Sequence, residues 1–192
     1  MVRLNRALAT AEVKNTSKTN TLIRQGIKNM IGREGMGFIM TMRILDRSRP
    51  GIAAQAVGLA QGALEAAVDY ARQRVQFGHP IISLPVVQNM LADMATQVEA
   101  ARALTYAVAR TIDSGAKQFT EESAMAKVFA SDVAMKVTTD ATQIFGGVGY
   151  MRDYPVEKMF RDAKITQIYE GTNQVLRNAI ALELWKRKGL RK

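Results

Sequence analysis

Several residue groups in this chain are of types that do chemistry. Glu170 is a carboxylate placed directly before Gly171, Thr172, Asn173 and Gln174. Arg74 and Phe77 lie between two apolar helical stretches, ahead of Gly78 and Pro80. Gly146, Gly147 and Gly149 follow Gln143, Ile144 and Phe145. Asp46, Arg47, Ser48 and Arg49 run straight into Pro50. A carboxylate can take a proton, a guanidinium pairs with phosphate through charge-assisted bonds, and glycines let backbone come close to a ligand. Taken singly, each group reads equally well as an ordinary loop. Most glutamates are solvated, and a Gly-rich turn alone says little about phosphate.

The elements that must position these groups are helical. Val57, Ala60, Leu64, Ala67, Ala71 and Val75 step by three or four. Leu84, Val87, Leu91, Met94, Val98, Ala101, Thr105, Val108 and Ile112 do the same, with Thr105 the polar member. A third stripe runs through Ala124, Val128, Val133, Val137, Ala141 and Ile144. Each stripe gives one helix a buried face and a wet face. The boundaries carry matching signals. Pro50 suits a first helical turn, Ser83 and Thr120 are candidate N-caps, and Pro85 sits where no N–H is needed. Glu121 and Glu122 favour the positive end of the third helix. Gly115 and Gly146 suit helix stops, Pro155 opens a short helix, and Thr172 or Asn173 starts the last. No alternating run is long enough for a confident strand. The expected fold is all-α, an antiparallel four-helix bundle with short connections.

Composition narrows the function. The 192 residues are 47% hydrophobic, enough for a core, and contain no Cys and one His. That excludes a disulfide framework, a thiolate metal site and a His-rich zinc site. The formal charge of +10 suggests an anionic partner, but its distribution argues against one. Arg3, Arg6, Lys14, Lys18, Arg24 and Lys28 face only Glu12 within 1–31, and Lys186, Arg187, Lys188, Arg191 and Lys192 face no acid in the tail. Residues 32–185 are therefore neutral, and a neutral body with basic ends is not a nucleic-acid face. No stretch approaches the apolar length of a membrane span.

The order of the motifs is more specific than any one of them. Asp46-Arg47-Ser48-Arg49-Pro50, Arg74-Val75-Gln76-Phe77-Gly78 with Pro80-Ile81, and Gln88-Asn89-Met90-Leu91-Ala92-Asp93-Met94 come first. Gln143-Ile144-Phe145-Gly146-Gly147-Val148-Gly149-Tyr150 follows, and then Arg161-Asp162-Ala163-Lys164 with Ile168-Tyr169-Glu170-Gly171-Thr172-Asn173-Gln174. Together, from about Lys28 to about Leu184, they closely resemble the C-terminal helical domain of acyl-CoA dehydrogenases. Residues 28–185 are accordingly expected to be that domain and 186–192 a basic tail. Residues 1–27 match nothing and are expected to be disordered or foreign to the fold.

The resemblance implies roles. Glu170 matches the base that removes the α-proton of an acyl-CoA thioester while the β-hydrogen leaves as hydride to FAD, giving a trans-2-enoyl-CoA. So weak an acid needs a water-poor site and an oxyanion-type donor for the thioester oxygen. Arg74, Gln76, Phe77, Gln88, Gln143, Ile144, Phe145, Gly146 and Gly147 match contacts to the FAD of a neighbouring subunit. Thr172, Asn173 and Gln174 match contacts to the subunit's own FAD. Asp46, Arg47, Ser48 and Arg49 match the CoA side, Tyr169 lines the acyl cavity, and Gly171 allows close approach. The resemblance further implies an electron-transfer flavoprotein as acceptor, a homo-oligomer built as a dimer of dimers, and a bacterial cytoplasm or mitochondrial matrix. Nothing in the chain matches the family's N-terminal helical domain or β-domain. The chain alone is therefore expected to have little dehydrogenase activity, and the alternative is a non-catalytic oligomerising bundle.

Overall fold

The structure, a computed structural model, describes Gly26 and residues 29–189. The expectation for residues 1–27 falls, Gly26 apart, outside the described residues, as does the end of the basic tail. Two compact units are distinguished, residues 1–42 and 43–192. The described part of the first is short. The Met36 N–H closes a turn on the Arg33 carbonyl at 3.1 Å, and Thr41 Oγ1 donates to the Gly37 carbonyl at 2.8 Å.

Five helices are described. They are α1 (Gly37–Gln73), α2 (Pro85–Asp113), α3 (Thr120–Phe145), α4 (Val156–Thr166) and α5 (Asn173–Gly189). Between α1 and α2 the chain makes a minimal hairpin of β1 (Val75–Gln76) and β2 (His79–Pro80), then a 3-10 turn at Ile81–Ser83. A second 3-10 turn, Gly146–Tyr150, follows α3. The all-α architecture expected from the periodicity is what forms.

In the second unit, α1 contributes an alanine face, with Ala53, Ala56, Ala60, Ala63, Ala67 and Ala71 wholly buried. Small side chains let a facing helix approach closely. The α2 stripe meets them with larger groups, Met94, Val98 and Val108. Burying a side chain such as Met94 or Val98 contributes roughly 1.5–3 kcal/mol. Helix α3 is central. It touches α2, α4 and α5 and is buried on more than one face. Its apolar stripe joins the core, while Ser123, Lys127, Ser131 and Thr138 form a second, polar stripe that is also buried.

Four boundary expectations need correction. Pro50 does not open a helix; it lies well inside α1. Having no N–H, it leaves the Asp46 carbonyl without its helical donor. The Ser123 hydroxyl supplies one at 2.6 Å. Ser83 does not cap α2, because its hydroxyl donates to the Pro80 carbonyl at 2.7 Å and Leu84 holds the cap position. Thr120 does begin α3, but its hydroxyl donates to Asp46 Oδ2 at 2.7 Å rather than capping. Val75 ends the first stripe in sequence but lies on the exposed hairpin. The other signals hold. Gly115 is left-handed at φ 83°, Gly146 stops α3 at φ 65°, and Thr172 Oγ1 accepts from the Val175 N–H at 3.3 Å to open α5.

Candidate functional site

The chain between α4 and α5 is bent through two consecutive left-handed residues, Glu170 at φ 58° and Gly171 at φ 95°. Gly171 adopts this freely, whereas a residue with a side chain does not, so the surroundings must enforce it. They do so with polar groups from three helices. From α1, the Ser48 hydroxyl donates to Glu170 Oε2 and Arg49 Nε donates to the Glu170 carbonyl at 3.2 Å. From α3, Lys127 Nζ donates to the Gly171 carbonyl at 2.8 Å and to Asn173 Oδ1 at 2.9 Å. At the start of α5, Asn173 Nδ2 donates to Ser131 Oγ and to Asp132 Oδ1, both at 2.8 Å. Asp132 also accepts from Gln167 Nε2 at 2.6 Å and from Arg177 at 2.5 Å. A carbon at Gly171 in place of its hydrogen would stand 3.1 Å from Leu176 Cδ2, so the turn is also tightly packed.

The charges around the turn are ordered. Arg49, only 5% exposed, is paired with Asp46 at 2.6 Å. Lys127 is wholly buried. Burial, and next the Arg49 charge, lower its pKa from 10.5 to about 8, while Asp132 and Glu170 oppose that shift. Among the described residues no buried side-chain nitrogen or oxygen lacks a partner.

A second region is more open. The hairpin pairs Val75 with Pro80 and Gln76 with His79, leaving a two-residue turn at Phe77 and Gly78, φ 53° and 82°. Positive φ at both central residues is the type I′ geometry that suits a twisted hairpin. The Phe77 ring is 86% exposed. Arg74 lies beside Phe145, Val148 and Tyr154 around a hollow of about 360 Å³. A larger hollow of about 770 Å³ is lined by Gln143, Gly146, Gly147, Tyr150, Phe160, Arg152 and Arg161, among others. Within it, the Arg161 hydrogen bond holds the Glu157 carboxyl below the usual carboxylate range.

The structure thus joins the residues assigned to two roles, base and CoA side, around one turn: Asp46, Ser48, Arg49, Glu170 and Gly171. Arg47 stands apart on the exposed side of α1. Tyr169 reaches α1 through a hydroxyl bond to Gln55. Arg74 and Phe145 meet at one hollow, Gln143, Gly146 and Gly147 at another. Gln76 bonds its own strand through the Val75 carbonyl at 2.8 Å. Gln88 is exposed in the first turn of α2 and Gln174 in the first turn of α5.

Some assigned side chains point elsewhere. Ile144 and Phe145 are 8% and 6% exposed and belong to the core. Phe145 stacks on Tyr70 at 4.1 Å and meets Tyr154 edge-on at 5.1 Å, which turns it inward. The Asn173 amide is 2% exposed and committed to Lys127, Ser131 and Asp132. Arg49 spends its guanidinium on Asp46 and on the Glu170 carbonyl. The sequence reading missed Lys127 and Asp132. The signal for Lys127 was the polar series Ser123, Lys127, Ser131, one helical turn apart along α3; Asp132 lies off that series.

Comparison with known proteins agrees with this fold and motif order. The sequence model of the acyl-CoA dehydrogenase C-terminal domain matches residues 35–184, and the chain belongs to that family. Among the proteins it is similar to, cyclohexane-1-carbonyl-CoA dehydrogenase of Geobacter metallireducens is 49% identical over 174 residues, 88% of this chain and 46% of the relative. The structure of butyryl-CoA dehydrogenase from Megasphaera elsdenii is 54% identical with a TM-score of 0.79, covering 82% of this chain and 41% of that one. A chain solved in work on the electron transferring flavoprotein of Acidaminococcus fermentans is 57% identical with a TM-score of 0.79, over 81% of this chain and 41% of that one. The chain therefore spans less than half the length of each of these relatives. No helix among the described residues is long and apolar enough to cross a membrane.

Proposed function

We propose that this chain is the helical part of an FAD-dependent acyl-CoA dehydrogenase and that Glu170 removes the α-proton of the bound acyl thioester. The observation that carries the reading is Glu170 itself, held left-handed at φ 58° with its carboxylate and its carbonyl bonded to different side chains of α1. A packing module has no use for a strained carboxylate, whereas a base must stand within hydrogen-bond reach of one carbon. The Ser48 hydroxyl orients the carboxylate oxygens, and the Arg49 bond to the Glu170 carbonyl keeps the peptide from rotating. Gly171 has no side chain to shield the neighbouring peptide N–H from a thioester oxygen. The α-proton passes to Glu170, and water is kept from the carboxylate by the acyl chain lying beside Tyr169.

The residues present suit a dinucleotide cofactor. Carbons added at Gly146 and Gly147 would meet nothing within 4 Å, so the backbone there is open to close approach. Tyr150 and Phe160 offer flat apolar surface in the same hollow, and Arg152 offers positive charge for phosphate, while Arg161 is paired with Glu157. Arg74, Gln76, Phe77, Gln88 and Gln143, with the backbone of Ile144 and Phe145, would hold the cofactor of a neighbouring subunit in a homo-oligomer. Thr172 and Gln174 would hold the subunit's own, positioned by Asn173. Bound FAD supplies the acceptor for the β-hydride. Arg47 and the Asp46 end of α1 face the CoA side, and an electron-transfer flavoprotein takes the electrons onward.

The test joins this chain to the N-terminal helical and β-domains of the Megasphaera butyryl-CoA dehydrogenase and follows flavin bleaching by butyryl-CoA. Glu170→Gln should cut the rate about 10²–10⁴-fold, the worth of a positioned general base, while assembly and FAD content stay normal. Bleaching at the parent rate would overturn the assignment.

A further inference from the structure

The geometry points to Lys127 as the positioning residue of the 170–173 turn: its buried ammonium, bonded to the Gly171 carbonyl and to the Asn173 side chain, holds two consecutive left-handed residues and so fixes where the Glu170 carboxylate stands. Lys127 takes no chemical step in proton removal, yet it is the largest wholly buried side chain of the molecule's described part. An uncompensated charge in such a place is costly, so its retention needs an explanation in what it binds. It binds one backbone oxygen of the bent segment and one side-chain oxygen of the helix that follows, at 2.8 and 2.9 Å. Lys127 thus bridges the bend and the start of α5. Charge-assisted donors make the stronger bonds, and the Gly171 carbonyl, at the end of the left-handed pair, takes no backbone donor among the turn and cap bonds.

The group is faced from every side. Arg49 lies on α1, Asp132 on α3 and Glu170 on the turn, with Arg177 of α5 bound to Asp132 at 2.5 Å. Burial and Arg49 bring the ammonium's pKa to about 8, so mild alkali discharges it. The neutral amine keeps two N–H donors for its two acceptors. The bend should therefore persist while its electronic surroundings change.

The functional meaning rests on reading Glu170 as the base, but the experiment concerns the bend alone, in the 192-residue chain, so either can fail without the other. Carbon-13 and nitrogen-15 NMR is recorded between pH 6 and 11. The Lys127 Cε signal, the Gly171 carbonyl and the Glu170 and Thr172 amides should move together with a midpoint of about 8. Ala101, in α2, should not follow. In Lys127→Met the transition should vanish. Hydrogen exchange of the Asn173 amide, which donates to the Gln167 carbonyl at 3.1 Å, should speed up by about tenfold or more. A Lys127 signal titrating near the ordinary value of 10.5, or bend signals indifferent to it, would overturn the assignment. So would unchanged Asn173 exchange in a folded Lys127→Met chain. Where that variant does not fold, the parent titration decides alone.

Discussion

Among the described residues, two bends put a residue with a side chain into left-handed backbone, each followed by a left-handed glycine, and they are held in opposite ways. At Phe77–Gly78 the backbone does the holding. The pairs Val75–Pro80 and Gln76–His79, with the Ile81 N–H on the Arg74 carbonyl at 2.8 Å, close a two-residue turn. The ring is left in solvent. At Glu170–Gly171 there is no ladder, and side chains of α1, α3 and α5 hold the bend instead. The difference separates two uses of strain. A bend closed by its own backbone can offer its side chain to a ligand or another subunit. A bend closed by buried charges fixes its side chain within the fold, as a base requires.

The comparison predicts that the second bend, unlike the first, fails when a distant side chain is removed. Asp132 is the clearest case, since it gathers Asn173, Gln167 and Arg177. Asp132→Ala should lower the free energy of unfolding in urea by about 2–3 kcal/mol, the range for losing charged hydrogen bonds in a partly buried place. Gln76→Ala on the hairpin, an exposed site, should stay within about 0.5 kcal/mol. Equal effects would erase the distinction. Lys127 adds a pH signature. Its pKa in the folded chain is about 8 against 10.5 ordinarily, so between those values the unfolded chain holds a proton the folded chain has released. Stability contributed by this group therefore rises with pH across that window. The urea midpoint of the parent should climb relative to Lys127→Met from pH 8 to 10.

Much of the architecture was legible because it depends on period and punctuation. Met94, Val98 and Val108 fall on one stripe, and Gly115 and Gly146 end helices where glycine stops were expected. The motif order also marked Ser48, Arg49 and Glu170, which lie 122 positions apart at the extremes and meet through a hydroxyl bond. What was hidden depends on partners distant in sequence. Thr120 looks like a cap until Asp46 competes for its hydroxyl, and Pro50 looks like a helix start until Ser123 supplies its missing donor. Phe145 reads as a loop aromatic until Tyr70 and Tyr154 draw it inward. Lys127 was invisible because a single apolar stripe was assigned to α3, while its polar face is buried too.

The two glycines sharpen the comparison further. Gly171→Ala meets both a left-handed backbone and Leu176, 3.1 Å from the added carbon. Gly78→Ala meets only the backbone, since nothing lies within 4 Å. The first should cost about 2–3 kcal/mol in urea and the second about 1–2 kcal/mol, the difference being the tighter packing of the buried bend. Phe77→Asn should act in the other direction. Asparagine tolerates left-handed backbone, Asn-Gly is the favoured type I′ pair, and a ring that is 86% exposed gives up little burial. The chain should gain about 0.5–1 kcal/mol, seen as a higher urea midpoint. In the fusion to the Megasphaera domains the same variant should hold FAD less tightly, because the ring that strains the hairpin is the one proposed to touch the cofactor. A Phe77→Asn chain that is less stable, or an assembled variant with undiminished FAD, would remove the reason for keeping phenylalanine at this bend.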